Sequence, residues 1–145
     1  MYIVSSCLAG INCRYDGKSN ENKFVIELVK QGKALPVCPE VLGGLPIPRT
    51  CCEIIADKNG NKSVIGKDGR DYTTEYELGA EKTFEIAKIV GAKKAILKSK
   101  SPSCGCGLIY DGTFSGRLIE GNGLTAELLI RNGIDVYTEN NCNNL

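Results

Sequence analysis

Eight cysteines and no histidine set the chemistry open to this chain of 145 residues. The usual imidazole ligands of zinc are absent, and so is the usual general base. A bound metal would have thiolates as its main protein ligands. Proton transfer would fall to a carboxylate, a hydroxyl, Lys, Tyr or Cys. The thiols are Cys7, Cys13, Cys38, Cys51, Cys52, Cys104, Cys106 and Cys142, and none of them forms a C-x-x-C pair. Structural zinc sites usually repeat such pairs. The opening Met1-Tyr2-Ile3-Val4 lacks the charged and apolar regions of a signal peptide. A secreted disulfide framework is therefore the weaker use of so many thiols, and metal or redox chemistry the stronger.

The elements that must position these thiols follow from hydrophobic pattern. Residues 1–6 read as a buried strand. Residues 7–20 carry loop chemistry, and Asn20 suits the N-cap of a helix through Phe24, Ile26, Leu28 and Val29 that stops near Gly32. Residues 34–37 form a second strand, and the Pro- and Gly-rich stretch 38–48 an irregular loop. Residues 53–56 and 63–65, around Asn59-Gly60, predict a hairpin. Residues 73–90 are the longest helical pattern, closed by Gly91. Residues 95–98 form a third strand, 99–107 a loop, 124–132 a helix and 134–137 a fourth strand. Alternating strands and helices predict one α/β domain over 1–145. Its sheet is mostly parallel with helices on its faces, Rossmann-like and doubly wound. The polar residues 139–145 are expected to fray.

Composition narrows the partners. A net charge of +1 lacks the basic excess of a nucleic-acid binder, and the longest apolar runs are too short to span a bilayer. The expectation is a cytoplasmic protein with a small-molecule partner, no nucleic-acid polymer and no membrane, its oligomeric state left open.

The first three parallel strands each lead into a cysteine-bearing loop, with Cys7, Cys38 and Cys104. In an open parallel sheet, ligands bind beyond the carboxyl ends of the strands. Topology can thus bring three thiolates together from distant parts of the chain. They could hold a catalytic zinc, or an iron–sulfur cubane, which normally takes four thiolates and with three would leave one iron open. The plainer alternative is three small buried residues.

Several segments resemble the thiouracil desulfidase family. They are Ser5-Ser6-Cys7-Leu8-Ala9-Gly10, Arg14-Tyr15-Asp16-Gly17, Cys38-Pro39-Glu40, Gly43-Gly44-Leu45-Pro46, Pro48-Arg49, Ser101-Pro102-Ser103-Cys104-Gly105 and Tyr110-Asp111-Gly112-Thr113-Phe114-Ser115-Gly116. The resemblance runs from residue 3 to about residue 137. It implies a [4Fe-4S] cluster held by Cys7, Cys38 and Cys104, an acidic catalytic residue at Glu40, and a catalytic serine at Ser101 or Ser103, with Ser101 preferred. Cys13, Cys51, Cys52, Cys106 and Cys142 fall outside the motif, and Cys13 or Cys106 could close the cluster with a fourth ligand. The implied activity is non-redox removal of sulfur from a thiolated base or nucleotide such as thiouracil. With the substrate sulfur on the open iron, water attacks the thiocarbonyl carbon, Glu40 serves as general base, the serine relays a proton, and hydrosulfide leaves.

Other residues read two ways. Arg14 can contact substrate or pin its loop to Asp16, and the second role is favoured. Arg49 suits a substrate phosphate or a surface charge. Gly43-Gly44 reads as a rigid turn, or as a place where backbone meets a ligand. Gly121-Asn122-Gly123 before the last helix suggests an anion site, but no dinucleotide fingerprint is present. Two rival functions stand beside the desulfidase. One is a non-catalytic metal-binding module with four ligands and no adjoining pocket. The other is a thiol redox or persulfide protein using Cys104 and Cys106, which requires an acidic, exposed thiol.

Overall fold

A computed structural model describes residues 1–145. In chain order the elements are β1 (Tyr2–Ser5), a 3-10 turn (Ser6–Ala9), α1 (Lys23–Lys30), β2 (Ala34–Val37), α2 (Pro39–Leu42), β3 (Cys52–Ala56), β4 (Lys62–Gly66), α3 (Thr73–Ile89), β5 (Lys94–Leu97), β6 (Leu108–Tyr110), β7 (Leu118–Glu120), α4 (Leu124–Arg131) and β8 (Asp135–Thr138).

Four strands form one parallel sheet in the order β2-β1-β5-β8, with Ile3 opposite Leu35 on one side and Ala95 on the other. Successive strand side chains point to opposite faces. Ile3, Ala95 and Leu97 therefore join a core with Ala87 of α3 and Ala126 and Leu129 of α4. Val4 and Ile96 join a second core with Leu8 and Val25 of α1. Burial on both faces is what makes these strands read as near-continuous apolar runs. The α/β reading with helices on both faces of a mostly parallel sheet holds. The chain runs outward from β1 to β2, then crosses back past β1 to β5. That reversal places the switch point between β1 and β5, where such sheets bind ligands.

Several boundaries differ from expectation. Asn22, not Asn20, caps α1, its side-chain oxygen accepting the Val25 N–H at 3.1 Å. Asn20 instead accepts from Arg14 at 2.7 Å. The stretch expected to be irregular after Cys38 contains α2, because Pro39 at the first helical position presets φ. The hairpin β3–β4 forms as expected, with Ile54 opposite Val64. A second hairpin, β6–β7, was not expected, since its strands have three residues each and carry almost no period-two signal. Leu45, Ile54, Val64, Tyr76 and Ile109 form a third, smaller core beneath these hairpins.

Two glycines let α2 lie on α3. A Cβ on Gly43 would meet the Glu75 carbonyl at 2.0 Å, and one on Gly79 would meet the Pro39 carbonyl at 2.0 Å. Gly43 is thus a helix–helix contact, not an approach to ligand. After β8 the polar segment is tied down as far as Cys142, which is fully buried. Glu139 accepts the Ser99 N–H at 2.8 Å and pairs with Lys98 Nζ at 3.0 Å. Polarity alone predicted fraying there, but these bonds oppose it.

Candidate active site

A cleft of about 530 Å³ opens at the carboxyl ends of the parallel strands, within the usual range for a small-molecule site. Cys7 reaches it from the 3-10 turn after β1, Cys38 from the N-cap of α2 after β2, and Cys104 from the loop after β5. Ser5, at the end of β1, ties the switch point together. Its hydroxyl donates to Cys104 Sγ at 3.3 Å and accepts the Lys98 N–H at 2.9 Å.

No three Cys, Asp or Glu side chains approach closely enough to hold a single metal ion. A mononuclear zinc needs its ligands within about 2.3 Å of one atom, whereas a cubane spreads them around a larger body. The donor set of three soft thiolates from three loops therefore fits a cluster better than one ion. All eight cysteines are free. Burial pushes the Cys104 thiol up to about 12, with Glu40 and Cys38 adding negative potential against the bonds from Ser5 and Ser103. Hydrogen bonding to Cys13 and burial raise Cys38 as well. These are not the acidic thiols of a redox catalyst.

The two candidate fourth ligands separate clearly. Cys13 lines the cleft, and its carbonyl accepts from the Cys38 thiol at 3.9 Å. Cys106 lies away from it, its thiol directed to the Val136 carbonyl at 3.9 Å. Of these two, only Cys13 lines the cleft.

Glu40, in the first turn of α2, has all its near partners on side chains. Its Oε1 accepts from Arg49 Nε and from the Tyr76 hydroxyl, each at 2.9 Å. Its Oε2 accepts from the Ser103 hydroxyl at 2.7 Å. Ser103 is 1% exposed. Its Oγ also lies 3.1 Å from Ser101 Oγ and 3.6 Å from Cys104 Sγ. Ser101 Oγ accepts the backbone N–H of Cys104 at 2.7 Å and of Ser103 at 3.2 Å, so it braces the thiol-bearing turn. Ser103, not Ser101, touches the carboxylate. Tyr76 is a residue that sequence reading missed. It sits on a helical core face, and only the packing of α3 on α2 brings its hydroxyl to Glu40. Burial and the neighbouring Glu40 raise its pKa, so it acts as a donor only.

Arg49 has 5% side-chain exposure and is committed internally. Beyond Glu40, it donates to the Cys13 carbonyl at 2.8 Å and the Pro46 carbonyl at 3.2 Å. Burial would lower its pKa, but Glu40 outweighs that and raises it. Arg14 bonds Asp16 at 3.0 Å and Asn20 at 2.7 Å, pinning its loop. Both arginines line the cleft, and Arg49, the candidate for a phosphate, spends Nε, Nη1 and Nη2 on partners within the protein. The first N–H groups of α4 are also taken, with Leu124 donating to the Pro102 carbonyl and Thr125 to the Ser103 carbonyl, each at 2.9 Å. That helix start braces the serine loop, and the expected anion site there does not form.

A sequence model of the 2-thiouracil desulfurase family matches residues 2–141. An uncharacterised protein of Bacillus subtilis strain 168, YbbK, is 45% identical over 150 residues, covering 100% of this chain and 99% of its own. The solved structure of the [4Fe-4S]-dependent thiouracil desulfidase TudS is similar, with a TM-score of 0.90 and 41% identity over 99% of this chain and 93% of that one.

Proposed function

The chain belongs to the 2-thiouracil desulfurase family and is a desulfidase enzyme, and from that premise we propose that it removes sulfur hydrolytically from thiolated pyrimidines with a [4Fe-4S] cluster held by Cys7, Cys38 and Cys104. When bound, the cluster supplies an iron with no protein ligand, a soft Lewis acid for a thiocarbonyl sulfur. The observation that carries the reading is the convergence of three thiols from three strand ends on the cleft that also receives the Glu40–Ser103 pair.

The protein's own groups define the proton work. Arg49 and Tyr76 occupy Glu40 Oε1, so Oε2 is the oxygen left for chemistry. Ser103 lies between that oxygen and the cleft and is itself hydrogen-bonded to Ser101. Water adds to the thiocarbonyl carbon as Glu40 takes its proton through the Ser103 hydroxyl. The proton then returns to the departing sulfur. A C=S bond and water become a C=O bond and hydrogen sulfide, with no change in electron count. General-base help of this kind contributes about 10²–10⁴-fold. Arg49 keeps the carboxylate oriented, and Arg14 shapes the loop that carries Cys13. Eight free thiols suit a reducing compartment, which supports the cytoplasm, and no helix is long and apolar enough to cross a membrane.

The test is anaerobic reconstitution with iron and sulfide, followed by incubation with 2-thiouracil, 4-thiouracil and their nucleotides. Loss of the thione absorbance with stoichiometric hydrosulfide is the expected result. A protein that assembles its cluster yet leaves every thiobase and nucleotide intact would overturn the substrate assignment.

A further inference from the structure

Glu53 is a buried carboxylate that the proton relay does not use. It lies on β3 beside the cleft, and its bonds run to backbone. Oε1 accepts the N–H of Gly112 at 3.0 Å and the N–H of Phe114 at 3.1 Å. Both belong to the loop joining β6 to β7. That loop is also closed on itself. Asp111 Oδ1 accepts from the Thr113 N–H at 2.9 Å and its hydroxyl at 2.6 Å, and Thr113 Oγ1 lies 2.6 Å from Ser115 Oγ.

The backbone at Phe114 has φ 56°, in the left-handed region. A bulky residue there costs on the order of 1–3 kcal/mol and persists only where the surroundings over-determine it. Here the surroundings are the buried carboxylate and the closed loop. Their effect is to present the Phe114 ring to the cleft, which it lines half-buried. A loop serving only to join two short strands could place Gly or Asn at that position without strain.

We propose that Phe114 is the aromatic wall on which the planar ring of the substrate stacks, and that Glu53 is the positioning residue that holds it there. This rests on the desulfidase reading of the same cleft and adds a substrate class to it. A thiocarbonyl carbon must be turned toward the Glu40–Ser103 pair, and a flat ring held face-on has its plane fixed. Base–aromatic stacking is worth about 1–3 kcal/mol and is indifferent to substituents on the ring edge. Phe offers a face and no hydrogen-bonding group. The cleft therefore selects planar heteroaromatic thiocarbonyls over acyclic thioamides and tolerates variation around the ring.

The experiment uses the loaded holoenzyme under anaerobic conditions. Uracil binding is measured by calorimetry, and turnover is measured with 4-thiouracil and with thioacetamide. Phe114→Ala is expected to weaken uracil binding and raise KM for 4-thiouracil about tenfold, with kcat changed less and any thioacetamide rate unchanged. Phe114→Trp should restore binding. Phe114→Leu keeps apolar bulk and the melting temperature, so its loss of uracil affinity separates stacking from folding. Glu53→Gln should raise KM in the same direction without moving the pH profile of kcat. Uracil affinity and KM unchanged in both Phe114→Ala and Phe114→Leu would overturn the proposal. A wild type that binds uracil through Phe114 yet desulfurises no thiobase would instead break the desulfidase reading and leave the stacking wall standing.

Discussion

The sheet side of the cleft holds Cys7, Cys38, Cys104, Glu40 and Ser103 on segments that leave the ends of β1, β2 and β5. The hairpin side holds Cys52, Glu53 and Phe114 on β3 and the loop after β6. The two carboxylates show how differently these sides are built. Glu40 is bonded by side chains from α2's neighbours, and one of its oxygens points at a hydroxyl that can pass a proton. Glu53 is bonded by peptide N–H groups, which cannot. The first arrangement is suited to reaction and the second to shape.

The largest effect should separate the sides by metal content. Serine at Cys7, Cys38 or Cys104 is expected to abolish the cluster absorbance and turnover together. Serine at Cys52 should keep the iron and sulfide content of the wild type, measured on anaerobic protein. Cys52 packs among Leu45, Ile54 and Val64 in the core beneath the hairpins, and burial pushes its thiol up to about 11. Equal loss from both sides would erase the contrast.

Next in size, Glu40→Gln should lower kcat about 10²–10⁴-fold with iron content unchanged. Tyr76→Phe tests the clamp on Glu40 more gently. Losing a hydrogen bond to a charged group costs about 1.5–3 kcal/mol of stability, read by urea denaturation. A mutant as stable as the wild type would show that this hydrogen bond does not hold Glu40 in place. Gly79→Ala pushes a methyl against the Pro39 carbonyl and should cost about 1–3 kcal/mol.

The smallest effect lies behind the sheet side, where Glu139 docks the last strand's exit. Burial would raise its pKa, but the Ser99 N–H and the Lys98 ammonium outweigh that and lower it. A depressed carboxylate stabilises above its unfolded value of about 4.5, and that contribution is lost as pH falls through the lower folded value. Glu139→Gln should lower stability at pH 7 and flatten the acid arm of the stability curve, read by urea denaturation across pH.

The same contrast explains what the sequence disclosed. Residues 34–37 and the helix beginning at Thr73 carry strong periodic signals, and the positions of Cys7, Cys38 and Cys104 just beyond strands follow from topology alone. Glu40 and the serine pair were legible only through family resemblance, because an isolated Glu or Ser has no periodicity to betray its role. The choice of Ser103 over Ser101 as the partner of Glu40 depends on which hydroxyl the loop spends on its own backbone. Tyr76, Glu53 and Phe114 were hidden more deeply. Their contacts span 36, 59 and 61 residues; the first depends on how α3 packs on α2, and the other two on the β6–β7 hairpin, whose short strands lack a pattern.

The central claim is that three thiols hold a cluster whose fourth iron is open in the cleft beside Glu40. Mössbauer spectra of anaerobically loaded protein, with and without 4-thiouracil, test it directly. The account predicts that one iron site of the cluster shifts when the thiobase is added, in the wild type and in Cys13→Ser alike. A wild-type spectrum indifferent to the thiobase, with a distinct iron appearing only in Cys13→Ser, would contradict it.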